Sequence, residues 1–224
     1  MLIILLYMRH LDNNDLKLNQ QTERRDSIDV RIDRAKSWLN RANKPGEDLD
    51  TRFLYLWVAF NAAYANDIDH HNITERKSFT RFINRLYILD QANYLFDLVW
   101  DKYYGSIDFL LQDKYVFQPF WDYQNNQKTE SQWLQAYKSE QHRLATVIAD
   151  KSQTDVLISI ILSRMYTLRN QFVHGGCTWN STSNRKELQI CVAFLDDFVP
   201  IMINILLEHR DELWGDPCYP VVDE

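Results

Sequence analysis

Residues 154–174 read TDVLISIILSRMYTLRNQFVH, and Gly175-Gly176 follow directly. Leu157, Ile161, Met165, Leu168 and Phe172 recur at intervals of three and four, the spacing that puts them on one face of an α-helix. The pattern predicts a long helix capped by Thr154 and stopped by the two glycines, which tolerate the left-handed backbone of a helix C-terminus. Ser163, Tyr166, Asn170 and His174 fall on the opposite, polar face. Arg169 lies about 100° from Asn170 around the helix, but its long arm can curl toward the same spot.

The rest of the chain reads the same way. Ser27 caps a first helix to about Ala42, with Ile28, Ile32, Ala35 and Leu39 on one face, and Lys44-Pro45-Gly46 ends it. A second helix, roughly Asp48 to Ala65, carries Phe53, Trp57, Phe60 and Tyr64 as one stripe. Leu54, Leu56, Val58 and Ala62 make its other faces apolar, so it belongs at the centre, with Asn61 as its polar exception. Thr74 is the next cap, before Phe79, Phe82, Ile83 and Leu86. A further helix covers about Ala92 to Tyr104 and is broken or bent at Gly105. Another runs from about Ser131 to Ala149. Asn184 with Glu187 reads as a capping box for the last long helix, which Pro200 should kink and which reaches about Leu213. The expected architecture is all-α, a bundle of about six to seven helices over 27–213. An irregular insertion lies near 106–130, an arm over 1–26 and a tail over 214–224.

Composition agrees. Glycine and proline together are ten of 224 residues, about a third of ordinary usage, too few for the turns of a sandwich, a barrel or a many-stranded α/β fold. Neither Gly-rich phosphate-loop pattern occurs. The net charge of −6 argues against a broad basic coat for nucleic acid and leaves room only for a local anion site. Arginine outnumbers lysine, 15 to 10, which favours fixed guanidinium contacts. Three widely spaced cysteines with no Cys-x-x-Cys predict neither a disulfide framework nor a zinc site, and a reducing cytoplasm fits best. The Asn-x-Ser/Thr triplets at Asn72 and Asn180 then have no glycosylation role. The apolar start MLIILLYM is too short to span a bilayer and lacks signal-peptide features. It reads as a packing segment, or as a leader upstream of a start at Met8, and no membrane role is expected.

The chemistry-bearing stretch is Arg169-Asn170-Gln171-Phe172-Val173-His174-Gly175. At a helix C-terminus the carbonyl dipole favours the imidazolium of His174. A histidine that titrates near neutrality, beside a permanent guanidinium, suits work on a phosphodiester: the imidazole moves a proton while arginine holds phosphate oxygens. Spacing alone equally permits a surface pair or a C-cap contact.

Arg169-Asn170-x-x-x-His174 closing a long helix resembles the Arg-x4–6-His signature of HEPN domains. Residues 54–64, LYLWVAFNAAY, resemble the W-x-x-F-N-x-x-Y helix of the Apea-like HEPN branch. The two motifs lie about 105 residues apart, and the likeness covers about 27–213. The resemblance implies a helical bundle that forms a homodimer, bringing two Arg–His motifs face to face. It further implies a metal-independent endoribonuclease, a toxin of a toxin–antitoxin pair or a phage-defence effector, acting on RNA without a cofactor. By resemblance His174 is the general acid or base, Arg169 the phosphate clamp, and Asn170 the residue that orients His174 or binds phosphate. A cognate antitoxin or regulatory protein is a possible partner. Some HEPN proteins are instead non-catalytic modules that bind nucleotides or partners, and a purely structural dimer is a third alternative.

Asn61 reads either as a support for the motif helix or as a core asparagine satisfied by backbone. Tyr166, Arg164 and Arg185 are further candidates for supporting the site or binding substrate. Arg24-Arg25 and Arg185-Lys186 could extend an RNA path, and Trp179 could stack on a base or pack its own loop. Asp67-Ile68-Asp69-His70-His71 collects metal-ligand residue types without helical spacing and reads as a polar loop; no metal is expected. His142 and His209 read as solvated-face and helix-end residues, and Cys177 has no histidine beside it in a nucleophile motif.

Overall fold

The computed structural model describes residues 27–64, 75–212, 214 and 219. The fold is all-α, with no strand among the described residues. Helix α1 spans 27–42, α2 Leu49–Tyr64 and α3 Glu75–Leu89. Next, α4 (Tyr94–Asp97) passes through a π-helical stretch (Leu98–Tyr103) into α5 (Tyr104–Gln112). A 3₁₀ turn at Lys114–Val116 leads to α6 (Gln118–Gln124). Then come α7 (Glu130–Ala149), α8 (Thr154–Val173) and α9 (Arg185–Glu208).

The centre forms as the apolar patterns dictate. Helix α2 packs along α9, and α3 along α8. Phe60 is the hub: its ring centroid lies 4.5 Å from Tyr64 and 5.9 Å from Phe198, with Phe79 and Phe82 just beyond. Such tilted and edge-on pairs add about 0.5–1.5 kcal/mol each beyond area burial. Leu157, Ile161, Met165 and Leu168 are fully buried, and Phe172, nearest the helix end, is half-buried. Trp214 is held on the core: its indole is buried against Phe82, its carbonyl accepts from Arg31 Nη1 at 2.8 Å, and the Arg85 guanidinium lies over its ring.

Several local expectations are corrected. Gly105 does not break its helix; the irregularity is the π-helical stretch just before it, and the helix continues to Gln112. Residues 106–130 form a broken run of short elements, with Trp121 Nε1 donating to the Tyr115 carbonyl at 2.7 Å and Phe120 edge-on to Trp133. Helix α7 starts one residue earlier than Ser131, behind a full capping box of Thr129 and Gln132. Thr154 is the first residue of α8 rather than its cap, because its hydroxyl bonds the Lys151 carbonyl and the Trp100 indole. Helix α9 runs unbroken through exposed Pro200 and stops at Glu208. Asn184 is left-handed (φ 55°) and forms no capping box; its Nδ2 donates instead to Gln171 Oε1 at 2.8 Å. Asp48 is the true cap of α2, accepting from the Thr51 backbone at 3.0 Å and hydroxyl at 2.7 Å.

The first 26 residues, the Thr74 cap and the Asp67–His71 cluster lie outside the described residues, and the described part of α1 begins at Ser27. By length and composition α9 could cross a membrane, but 56% of its apolar stretch is buried inside the fold, as in a core helix.

Candidate functional site at the end of helix α8

The C-terminus of α8 is built by its glycines. His174 is the C-cap, and Gly175 follows at φ 71°. Gly176 N–H bonds the Gln171 carbonyl at 2.6 Å and Gly175 N–H the Phe172 carbonyl at 3.3 Å, the paired bonds of a Schellman end. This stops the helix with the His174 side chain in solvent. Among the described residues no hydrogen bond or ion pair engages its imidazole.

The predicted triplet falls as follows. Arg169 and Asn170 are half-buried on the exposed flank of α8, and Arg169 Nη1 donates to Asn170 Oδ1 at 3.1 Å. His174 stands one turn beyond Asn170. Tyr166 is half-buried one turn before it, its ring 6.1 Å from that of Trp57. A polar ridge therefore crosses the end of α8, backed by the apolar face that docks on the core.

The other candidates serve the fold. Arg164 is buried, with 2% exposure. Its Nη2 donates to the Leu111 carbonyl at 3.0 Å and pairs with Glu140 at 2.5 Å, and its guanidinium lies over the Phe117 ring. It fastens α5, α7 and the Phe117 segment before α6 onto α8, and the expectation that it touches substrate is corrected. Arg185 is likewise engaged: it pairs with buried Asp50, and donates to the Ser181 carbonyl at 2.9 Å and Asn180 Oδ1 at 3.1 Å. With Asn180 N–H on Asp50 Oδ2, it pins the loop after α8 to the start of α2.

Asn61 Oδ1 is buried and accepts no hydrogen bond, and Trp57 Nε1, one turn earlier, donates none. Phe53 meets Phe172 and Trp57 meets Tyr166, so α2 runs antiparallel to α8.

Trp179 is 74% exposed. Burial pushes the Asp48 carboxyl up, but hydrogen bonds, chiefly from Thr51, outweigh it and hold the group below the ordinary range. Burial, reinforced by Asp50, pushes the Cys177 thiol up against the opposing charge of Arg185, so nothing activates it as a nucleophile.

The sequence reading missed a cleft of about 850 Å³ flanking the ridge. Tyr115 and Trp121, Gln171 of α8, and Cys177, Thr178 and Asn184 from the segment after it line this cleft. Asp113 and Glu187 also line it. Burial first, and then that neighbouring acid, hold the Glu187 carboxyl above its ordinary range against its own backbone N–H and Lys186. Only the odd cluster of aromatics in 109–123 hinted at it. No group of three or more His, Cys, Asp or Glu among the described residues is arranged to hold a metal ion.

No protein-family model, curated protein or solved structure matches the chain.

Proposed function

We propose that the protein is a HEPN-like, metal-independent endoribonuclease whose working residues are Arg169, Asn170 and His174. The observation that supports this reading is the ridge itself: a helix C-terminus that leaves His174 in solvent, one turn from an Arg169–Asn170 pair facing the same exposed flank. The exposed imidazole is free to move a proton, and the arginine supplies fixed positive charge for a phosphate.

In the proposed reaction the 2′-hydroxyl of RNA attacks the adjacent phosphorus. The new O2′–P bond replaces the P–O5′ bond, leaving a 2′,3′-cyclic phosphate and a 5′-hydroxyl. One histidine takes the 2′-hydroxyl proton and another donates a proton to the departing 5′-oxygen. That division of labour needs two histidines, which a two-fold homodimer provides from one motif. Arg169 neutralises the charge that grows on the phosphoryl oxygens. The biological setting that fits is a cytoplasmic toxin or phage-defence effector held in check by an antitoxin or regulatory protein.

The test is an incubation of total RNA with the protein in EDTA. Cleavage by the wild type and none by His174→Ala or Arg169→Ala, with helicity unchanged, supports the reading. Equal cleavage by both variants overturns it. A non-catalytic binding module is the alternative that the neighbouring cleft favours, and saturable ligand binding with no turnover on any RNA would establish it.

A further inference from the structure

The cleft beside the ridge has a chemistry of its own. Its aromatic wall is Phe109, Tyr115 and Trp121, with Phe109 37% and Tyr115 46% exposed, so ring surface is open to a ligand. The lining also carries amides and hydroxyls, among them Gln171, Asn184 and Ser183. Gln171 is fixed in place by two bonds, Nε2 to the Tyr115 carbonyl at 2.7 Å and Oε1 from Asn184 at 2.8 Å. A volume of about 850 Å³ falls in the range of small-molecule sites.

The charges restrict what fits. Among the described residues no lysine or arginine lines the cleft, while Asp113 and Glu187 do. Two cations stand over its rings: Lys186 Nζ lies 3.5 Å from the Phe109 centroid and Lys114 Nζ 5.1 Å from that of Tyr115. A phosphate is therefore disfavoured inside and favoured at the margin. Rings that stack, amides and hydroxyls that meet a polar edge, and carboxyls that accept from N–H groups suit a flat, uncharged heterocycle bearing an amino group.

The cleft is also placed to act with the ridge. Around the helix, Gln171 lies about 60° from His174 and about 160° from Arg169, so His174 stands between cleft and clamp. Gly176 and Cys177, just after His174, line the cleft.

We infer that this cleft is a base-binding subsite that takes one unpaired nucleobase carrying an exocyclic amino group, stacked on Tyr115 and read by Asp113 and Glu187. The inference deepens the RNA reading of the Arg169–His174 ridge and rests on it. Guanine, adenine and cytosine have the amino group and uracil lacks it, so the residue next to the cut is selected against uracil.

The experiment titrates guanosine, adenosine, cytidine and uridine into the full chain, followed by NMR shifts or calorimetry, with RNA cleavage measured in parallel on the same protein. The amino-bearing nucleosides bind, and uridine binds about 10-fold more weakly or not at all. Tyr115→Ala, which leaves the backbone bonds of residue 115 intact, weakens all of them about 10-fold, the scale of one lost stacking partner. Glu187→Ala removes the discrimination against uridine, with the melting curve confirming the fold in both variants. Uridine binding as tightly as the others, or no nucleoside binding while RNA is cleaved, overturns the subsite. Nucleoside binding with this selectivity but no RNA cleavage supports the subsite and overturns the nuclease reading instead.

Discussion

Arg169 Nη1 donates to Asn170 Oδ1 at 3.1 Å, between adjacent residues of α8 whose side chains leave the helix about 100° apart. The bond draws the guanidinium around the helix toward the flank that Asn170 shares with His174. Among the described residues it is the one hydrogen bond that holds the Arg169 head.

Asn170→Ala therefore lowers RNA cleavage about 10- to 100-fold through loss of the positioned guanidinium. Arg169→Ala lowers it further. Both positions are half-exposed and outside the core, so melting temperatures shift little. Steady-state cleavage rates alongside thermal melts separate the two effects. Full activity in Asn170→Ala contradicts the clamp.

Arg164→Ala behaves in the opposite way. Removing a buried guanidinium that bonds Leu111 and Glu140 and covers Phe117 costs about 2–4 kcal/mol of stability. Glu140 is partly exposed, which keeps the loss below that of a fully buried pair. Urea denaturation reads the loss directly, and a change under 1 kcal/mol refutes the fastening role.

The two glycines after His174 fail for different reasons. Gly175→Ala meets no atom within 4 Å but must hold φ 71°, a strain of about 1 kcal/mol. In Gly176→Ala the new Cβ lies 3.1 Å from the Gln171 carbonyl oxygen and 3.3 Å from its Cα. Backbone against backbone cannot relax by a rotamer change, so this variant displaces Gln171 and the helix end. An NMR comparison finds shift changes spreading to Gln171 in Gly176→Ala and staying local in Gly175→Ala.

These sites also show how much the sequence disclosed. The apolar stripe of α8 was legible because Leu157 to Phe172 repeat at helical spacing, and the helix end was legible because Gly175-Gly176 leave little else possible. Caps were less so. Thr154 and Asn184 have the right chemistry, but Trp100 and Gln171, distant in sequence, claim their side chains. Arg164 looked no different from Arg169, five residues on. Its burial is decided by Glu140 and by Leu111 and Phe117, the last two from a stretch with no readable pattern. The cleft was hidden for the same reason, since its walls come from segments some 60 residues apart.

Acid stability separates two carboxyls. The Asp48 group is held below its ordinary value in the folded chain. Its contribution is therefore present above the unfolded value, about pH 4, and is lost as pH falls through the folded one. Glu187 is held above its ordinary value. Ionising it costs stability as pH rises from about 4 through the folded value, so Glu187→Gln melts higher than wild type at pH 7. Asp48→Asn melts lower at pH 7, and both differences shrink toward pH 3. Differences of the opposite sign, or independent of pH, contradict the assigned environments.

The most direct measurement is the fate of the scissile phosphate. A defined RNA is incubated with the protein in EDTA, beside the same RNA with a single 2′-deoxy substitution at the cleaved position. The account predicts a 2′,3′-cyclic phosphate and a 5′-hydroxyl from the all-ribose strand, no cut at the 2′-deoxy position, and no product from His174→Ala. Cleavage at the 2′-deoxy position, or cleavage that His174→Ala leaves intact, contradicts it.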